Sequence, residues 1–124
     1  MLKIKNKTIH LNRGDSANIQ VACNNSVFEA DQKLCLYVME AGNCENIIFN
    51  KEATLEANSN TATISLSAED TKSLTEPFSL GAKEFWYELE MQSGEERTTL
   101  VGYDEDGPKL FILYPEAIVE GANQ

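Results

Sequence analysis

The stretch Glu84-Phe85-Trp86-Tyr87-Glu88-Leu89-Glu90-Met91 decides the fold class. Phe85, Tyr87, Leu89 and Met91 fall on one side at a spacing of two, and Glu84, Trp86, Glu88 and Glu90 fall on the other. Only an extended chain separates side chains this way, so the stretch reads as a strand with one face in a core. Downstream, Gln92-Ser93-Gly94-Glu95-Glu96 is a polar loop, and Thr98 to Tyr103 returns as the second arm of a hairpin. Asp104-Glu105-Asp106-Gly107-Pro108 turns the chain again. Leu110-Phe111-Ile112-Leu113-Tyr114 is a last apolar strand, ended by Pro115, which has no amide hydrogen for a ladder.

Upstream the same period recurs. Thr61 to Leu66 alternates after the turn-like Ala57-Asn58-Ser59-Asn60, and Ala17, Ile19 and Val21 alternate with polar or small residues. Leu34-Cys35-Leu36-Tyr37-Val38-Met39 is apolar without a break and reads as a strand covered on both faces. Ile47-Ile48-Phe49 is a shorter apolar run. Leu2 to Lys5 and Thr8 to Asn12 read as two more strands. Their apolar parity switches from even to odd, which requires a turn or bulge near Asn6-Lys7. Ser67-Ala68-Glu69-Asp70 has a side-chain cap and an acid three residues later, which predicts a short helix closed onto the core by Leu74. The expected fold is all-β: an immunoglobulin-like antiparallel β-sandwich of seven to nine strands with one short helical turn. The expected organisation is a basic N-terminal strand or arm over 1–14, the sandwich over 15–115 and a tail over 116–124.

The chain has 124 residues and a formal charge of −10, from 10 basic and 20 acidic side chains. This balance argues against nucleic-acid binding, which needs a basic face, and against an anionic membrane surface. No apolar run approaches the roughly 18 residues of a spanning helix. Met1-Leu2-Lys3-Ile4-Lys5 shows no apolar stretch of a signal peptide, so a cytoplasmic setting is expected. The three cysteines, Cys23, Cys35 and Cys44, then read as reduced, buried structural thiols. Their spacing matches no zinc pair, and no metal or other cofactor is expected.

Charge is divided along the chain. Residues 1–13 carry Lys3, Lys5, Lys7 and Arg13 and no acid. Lys3, Lys5 and Lys7 repeat at a spacing of two, opposite Leu2 and Ile4. Such a strand can add to an acidic sheet edge of its own subunit or of a neighbour, or it can protect an edge from unwanted pairing. Trp86, flanked by acids on the polar side of its strand, is an interface anchor, a residue packed under a loop, or a sugar platform. The candidate interface residues are therefore Lys3, Lys5, Lys7, Trp86, Glu88 and Glu90.

Catalytic alternatives are thin. His10 is the only histidine and sits in an alternating strand, where it reads as solvent-facing. Glu88 and Glu90 project from one face about 7 Å apart, a spacing that glycoside chemistry can use and that any solvated strand also shows. Asp104-Glu105-Asp106-Gly107 offers hard oxygens without the EF-hand spacing, and reads first as a turn; Asp104 and Asp106 are the candidates for a weakly held cation.

The order of these elements resembles the small N-terminal β-sandwich modules of phage baseplate upper-type proteins and related short proteins of phage and prophage tails. The resemblance rests on Arg13-Gly14-Asp15-Ser16 leading into Ala17 to Val21, on Lys33 to Val38, on Ile64 to Leu74, on Phe85 to Leu89, and on Thr98 to Val101 followed by Leu110 to Pro115. It implies a structural role in a virion tail or baseplate, homo-oligomeric and in contact with other virion proteins. No nucleic acid, membrane or chemical step is then expected, and the location is the producing bacterium or the particle. The alternative is a carbohydrate-binding sandwich with Trp86 and Tyr103 as platforms and Asp104 and Asp106 as polar or calcium ligands. A third reading is a hydrolase using Glu88 and Glu90.

Overall fold

The computed structural model describes residues 2–22, 27–55, 58–74 and 81–115. In chain order the elements are β1 (Leu2–Lys5), β2 (Thr8–Asn12), β3 (Ala17–Ala22), β4 (Gln32–Glu40), β5 (Asn43–Glu52), β6 (Thr54–Leu55), β7 (Thr61–Leu66), α1 (Ala68–Lys72), β8 (Lys83–Ser93), β9 (Glu96–Val101) and β10 (Lys109–Tyr114). The two-residue β6 takes the count among described residues to ten, one above the expected range.

Two sheets face each other. The larger runs β1-β2-β10-β8-β4-β5, and β9 joins it along β8; the smaller runs β3-β7-β6. The eleven-residue β8 organises the larger sheet. One edge of β8 pairs with β4 from Phe85 to Ser93. Its other edge is divided between β10, over Lys83 to Tyr87, and β9, over Leu89 to Ser93. Among the described residues all pairings are antiparallel except one: β2 lies parallel to β10, with Ile9 opposite Phe111 and Leu11 opposite Leu113. The fold is an all-β sandwich, and that single parallel pair departs from the purely antiparallel expectation. It arises because β2 and β10 are distant in sequence and need no tight turn between them.

The core lies between the sheets. Leu11, Leu34, Leu36, Ile64, Phe85, Phe111 and Leu113 are fully buried there. Each contributes about 1.5–3 kcal/mol by leaving water. Alternation along β8 holds as read: Phe85, Tyr87, Leu89 and Met91 are buried, and Trp86, Glu88 and Glu90 are half-buried on the outside. β4 departs from its reading, because only Leu34, Leu36 and Val38 face the core. Cys35 and Tyr37 point outward and are half-covered, and Met39 is buried.

The N-terminal hairpin turns at Asn6 and Lys7, which both take left-handed backbone with φ of 50° and 65°. Two left-handed residues match the strand twist and absorb the parity switch. Leu2 consequently pairs with Leu11 and Ile4 with Ile9 on one face. β2 is no arm: Ile9 and Leu11 belong to the core, so residues 8–12 are part of the sandwich and the boundary at residue 14 divides nothing there. β1 is the outermost strand. Leu11 is 0% exposed and its partner Leu2 37%; Ile9 is 3% exposed and its partner Ile4 48%. The narrower opposing sheet stops short of β1. An apolar cavity of about 250 Å³ marks that margin, lined by Ile4, Ile9, Ile19, Val21 and Tyr87 among others.

The predicted helix is present as α1. The Ser67 side chain accepts from the Asp70 backbone, and Asp70 Oδ2 accepts from the Ser67 backbone at 2.7 Å, a reciprocal cap. Leu74 is buried behind it. Cys23, the stretch 75–80 and the tail 116–124 lie outside the described residues.

Candidate functional site

The outer face of the larger sheet gathers most of the residues singled out in the sequence. Because β8 turns its four large apolar residues inward, Glu84, Trp86, Glu88 and Glu90 must face outward. Pairing sets their neighbours. Trp86 lies between Leu110 of β10 and Met39 of β4. Glu84 lies opposite Ile112, Glu88 opposite Tyr37, and Glu90 opposite Cys35. Tyr103, in the loop after β9, meets the Trp86 ring edge-on at 5.7 Å between centroids and 61° between planes. Trp86 is thus packed under a loop residue, while Tyr103 itself is 68% exposed.

Two of the carboxylates on this face, Glu88 and Glu90, are engaged. Glu88 accepts from the Thr99 hydroxyl at 2.7 Å. Glu90 accepts from Gln92 Nε2 at 3.0 Å and pairs with Arg97 at 3.5 Å. Gly102 is buried against these groups, and a Cβ there would lie 2.8 Å from Thr99 Cγ2 and 3.1 Å from Glu88 Cγ. Thr99, Glu88 and the chain after β9 are therefore packed as one unit. The hydroxyl of Tyr37 and the thiol of Cys35 are both pushed up first by burial, and Cys35 also by the charge of Glu52.

On the β10 side, His10 is half-buried rather than open to solvent. Its Nδ1 is 2.9 Å from the Tyr114 hydroxyl, and the two rings stack at 5.9 Å. Leu110, Ile112 and Tyr114 are half-buried along the outer side of β10. The unbroken apolar run from Leu110 to Tyr114 is the sequence signal for this strip, since a strand with one solvated face would alternate.

The cysteine reading is corrected in part. Cys44 is exposed on β5 and Cys35 is half-buried on the outer face; neither lies in the core. Strand parity explains both, because the core positions of β4 belong to Leu34, Leu36 and Val38.

The lysines are less gathered. The backbone register sets position 3 opposite His10 and position 5 opposite Thr8, on the outermost strand. The edge that β1 uses in its own chain is β2, Thr-Ile-His-Leu-Asn, which carries no acid. Lys7 is exposed in the turn, and its carbonyl accepts from the Tyr87 hydroxyl, which burial pushes up to about 12.

Asp104 to Gly107 forms the expected turn, with Asp104 accepting from the Asp106 amide at 2.9 Å and Gly107 at a φ of +95°. Asp104 Oδ1 also receives the ammonium of Lys109 at 2.7 Å, and this bond holds its carboxyl below the usual range. The cationic position beside Asp104 is filled by that largely buried side chain. Among the described residues no group of three or more histidine, cysteine, aspartate or glutamate side chains is arranged to hold a metal ion. Among them, too, no helix is long and apolar enough to cross a membrane.

The molecule is thus an all-β sandwich whose most distinctive surface is the aromatic and acidic outer face of its larger sheet. No protein-family model, curated protein or solved structure matches the chain.

Proposed function

We propose that the chain is a non-enzymatic structural or assembly module that acts through protein–protein contacts in a phage or prophage tail. One observation carries the reading. The outer face of the larger sheet has an apolar and aromatic strip, Leu110, Ile112, Trp86 and Tyr103, with Glu84, Glu88 and Glu90 beside it. Apolar centres with charged margins are the anatomy of contact surfaces. Glu88 and Glu90 support a structural rather than a hydrolytic role, since Thr99 and Arg97 already hold them. The assignment to a tail rests on the order of strands and turns. The test is mass spectrometry of particles purified after prophage induction in the strain that encodes the chain. Copurification at fixed stoichiometry with tail proteins supports the reading, and its absence from the particles refutes it.

The Trp86–Tyr103 pair favours a second reading, a carbohydrate-binding sandwich, because it joins the two proposed platforms. Glycan-array binding that disappears in Trp86→Ala would establish it; a silent array on the folded protein would remove it.

A further inference from the structure

Strands β1, β2, β10 and β8 are neighbours in that order, and their registers align them level by level. Position 3 lies opposite His10, His10 opposite Ile112, and Ile112 opposite Glu84. Position 5 lies opposite Thr8. Continuing the parallel register one residue from Ile9–Phe111 sets Thr8 level with Leu110, and Leu110 lies opposite Trp86. Two antiparallel pairings and one parallel pairing leave β1 and β8 running in the same direction. The same face therefore carries lysine at positions 3 and 5 on one strand. Three strands away, at roughly 14 Å for a spacing of ~4.8 Å, it carries Glu84 and Trp86 at the same levels. The turn bearing Lys7 continues toward the level of Glu88.

From this arrangement we infer that the face binds a second copy of the chain through a two-fold axis parallel to the strands, between β2 and β10. The inference rests on the assembly reading above and specifies the contact. Such an axis exchanges β1 with β8 and β2 with β10, and it keeps every residue at its own level. Position 3 of each copy then lies over Glu84 of the other, and position 5 over Trp86 with the exposed Tyr103 against it, an acid and an aromatic pair that both attract lysine. Thr8 and His10 come over Leu110 and Ile112, so the half-buried apolar strip on β10 is covered. An isologous contact needs one surface that complements itself. A basic strand and an acidic strand in the same direction and register meet that need. A net charge of −10 opposes any contact between copies that does not bring opposite charges together.

The test uses two charge-reversed forms of the full chain. Lys3→Glu/Lys5→Glu makes both strands acidic, and Glu84→Lys/Glu88→Lys makes both basic. Sedimentation equilibrium of the wild type is expected to show a concentration-dependent shift from one chain toward two. The dissociation constant should weaken at least about tenfold when salt shortens the screening length from ~10 Å to ~3 Å. Each variant alone is expected to remain monomeric, and an equimolar mixture to form the mixed dimer, because each contact then joins opposite charges. Recovery in the mixture also shows that both variants are folded. If Glu88→Lys unfolds the chain, the single changes Lys3→Glu and Glu84→Lys replace the pairs, since Glu84 is exposed. A wild type that stays monomeric overturns this contact, as does a dimer indifferent to the reversals. Neither result touches the broader reading, which is lost only if the chain is missing from the particles.

Discussion

The backbone amide of Gly14 donates to Thr71 Oγ1 at 2.9 Å, joining the turn after β2 to the helix α1. Thr71 is fully buried, and its single proton serves the carbonyls of Ala68 and Asp15, at 2.9 and 3.1 Å. Arg13 Nη2 adds a bond to the Lys72 carbonyl at 3.2 Å. Thr71→Val keeps the volume and strands the Gly14 amide, which should lower stability by about 1–3 kcal/mol. Thr71→Ser should retain most of it. Urea midpoints at constant m value measure both; equal midpoints for Val and the wild type would refute this role.

Gly102→Ala tests the packing beneath Glu88. The added carbon meets Thr99 Cγ2 at 2.8 Å, so the chain after β9 must shift, at roughly 1–3 kcal/mol. Thr99→Ser removes that methyl and keeps the hydroxyl for Glu88. The double variant is therefore expected to recover most of the loss, and the coupling should be visible in a thermal-melt cycle.

Asp70 links stability to pH. Burial pushes its carboxyl up, but the Ser67 backbone bond and the Lys51 ammonium at 3.0 Å outweigh it, and the folded value lies below the ordinary one. A lowered folded value stabilises above the unfolded pKa of about 3.9 and is lost as pH falls through the folded value. Asp70→Asn should thus flatten the stability curve below about pH 4 relative to the wild type. Near neutrality an asparagine still accepts from the Ser67 amide, so the loss is that of the carboxylate charge and its ion pair with Lys51, roughly 0.5–1 kcal/mol. Urea titrations between acid and neutral pH measure both arms.

Trp86 is the only tryptophan, so its emission reports one place. Tyr103→Ala removes the edge contact and should shift that emission to longer wavelength, with a loss of about 0.5–1.5 kcal/mol for the pair. Unchanged emission would mean that Tyr103 does not cover the ring in solution.

Thiol labelling should separate the two described cysteines. With Cys23 replaced by serine, Cys44 is expected to react first, being exposed. Cys35 is expected to lag, because burial and the charge of Glu52 raise its pKa and lower the thiolate fraction. Mass spectrometry of partially labelled protein reads the order.

Strand β8 was legible from its residues alone, since both of its faces have distinct chemistry and the period is unambiguous. The cap at Ser67 was equally plain, because two side chains three apart define it. The partner of β2 was hidden: Thr-Ile-His-Leu-Asn states which side faces the core and nothing about which neighbour it pairs with. Cys35 was misplaced because the apolar run Leu34 to Met39 masks its own parity. Tyr103 was named, but its contact with Trp86 depends on a register shift between Leu89 and Glu90 that no local pattern encodes.

The unequal widths of the two layers have a mechanical consequence. Leu2 and Ile4 are already wet, so peeling β1 away breaks one ladder of hydrogen bonds and uncovers little new apolar surface. The pairing of β2 with β10 behind it is untouched. Amide hydrogens of residues 2–5 should exchange with solvent long before those of β8, and the margin of this molecule can open and reclose while the rest remains native.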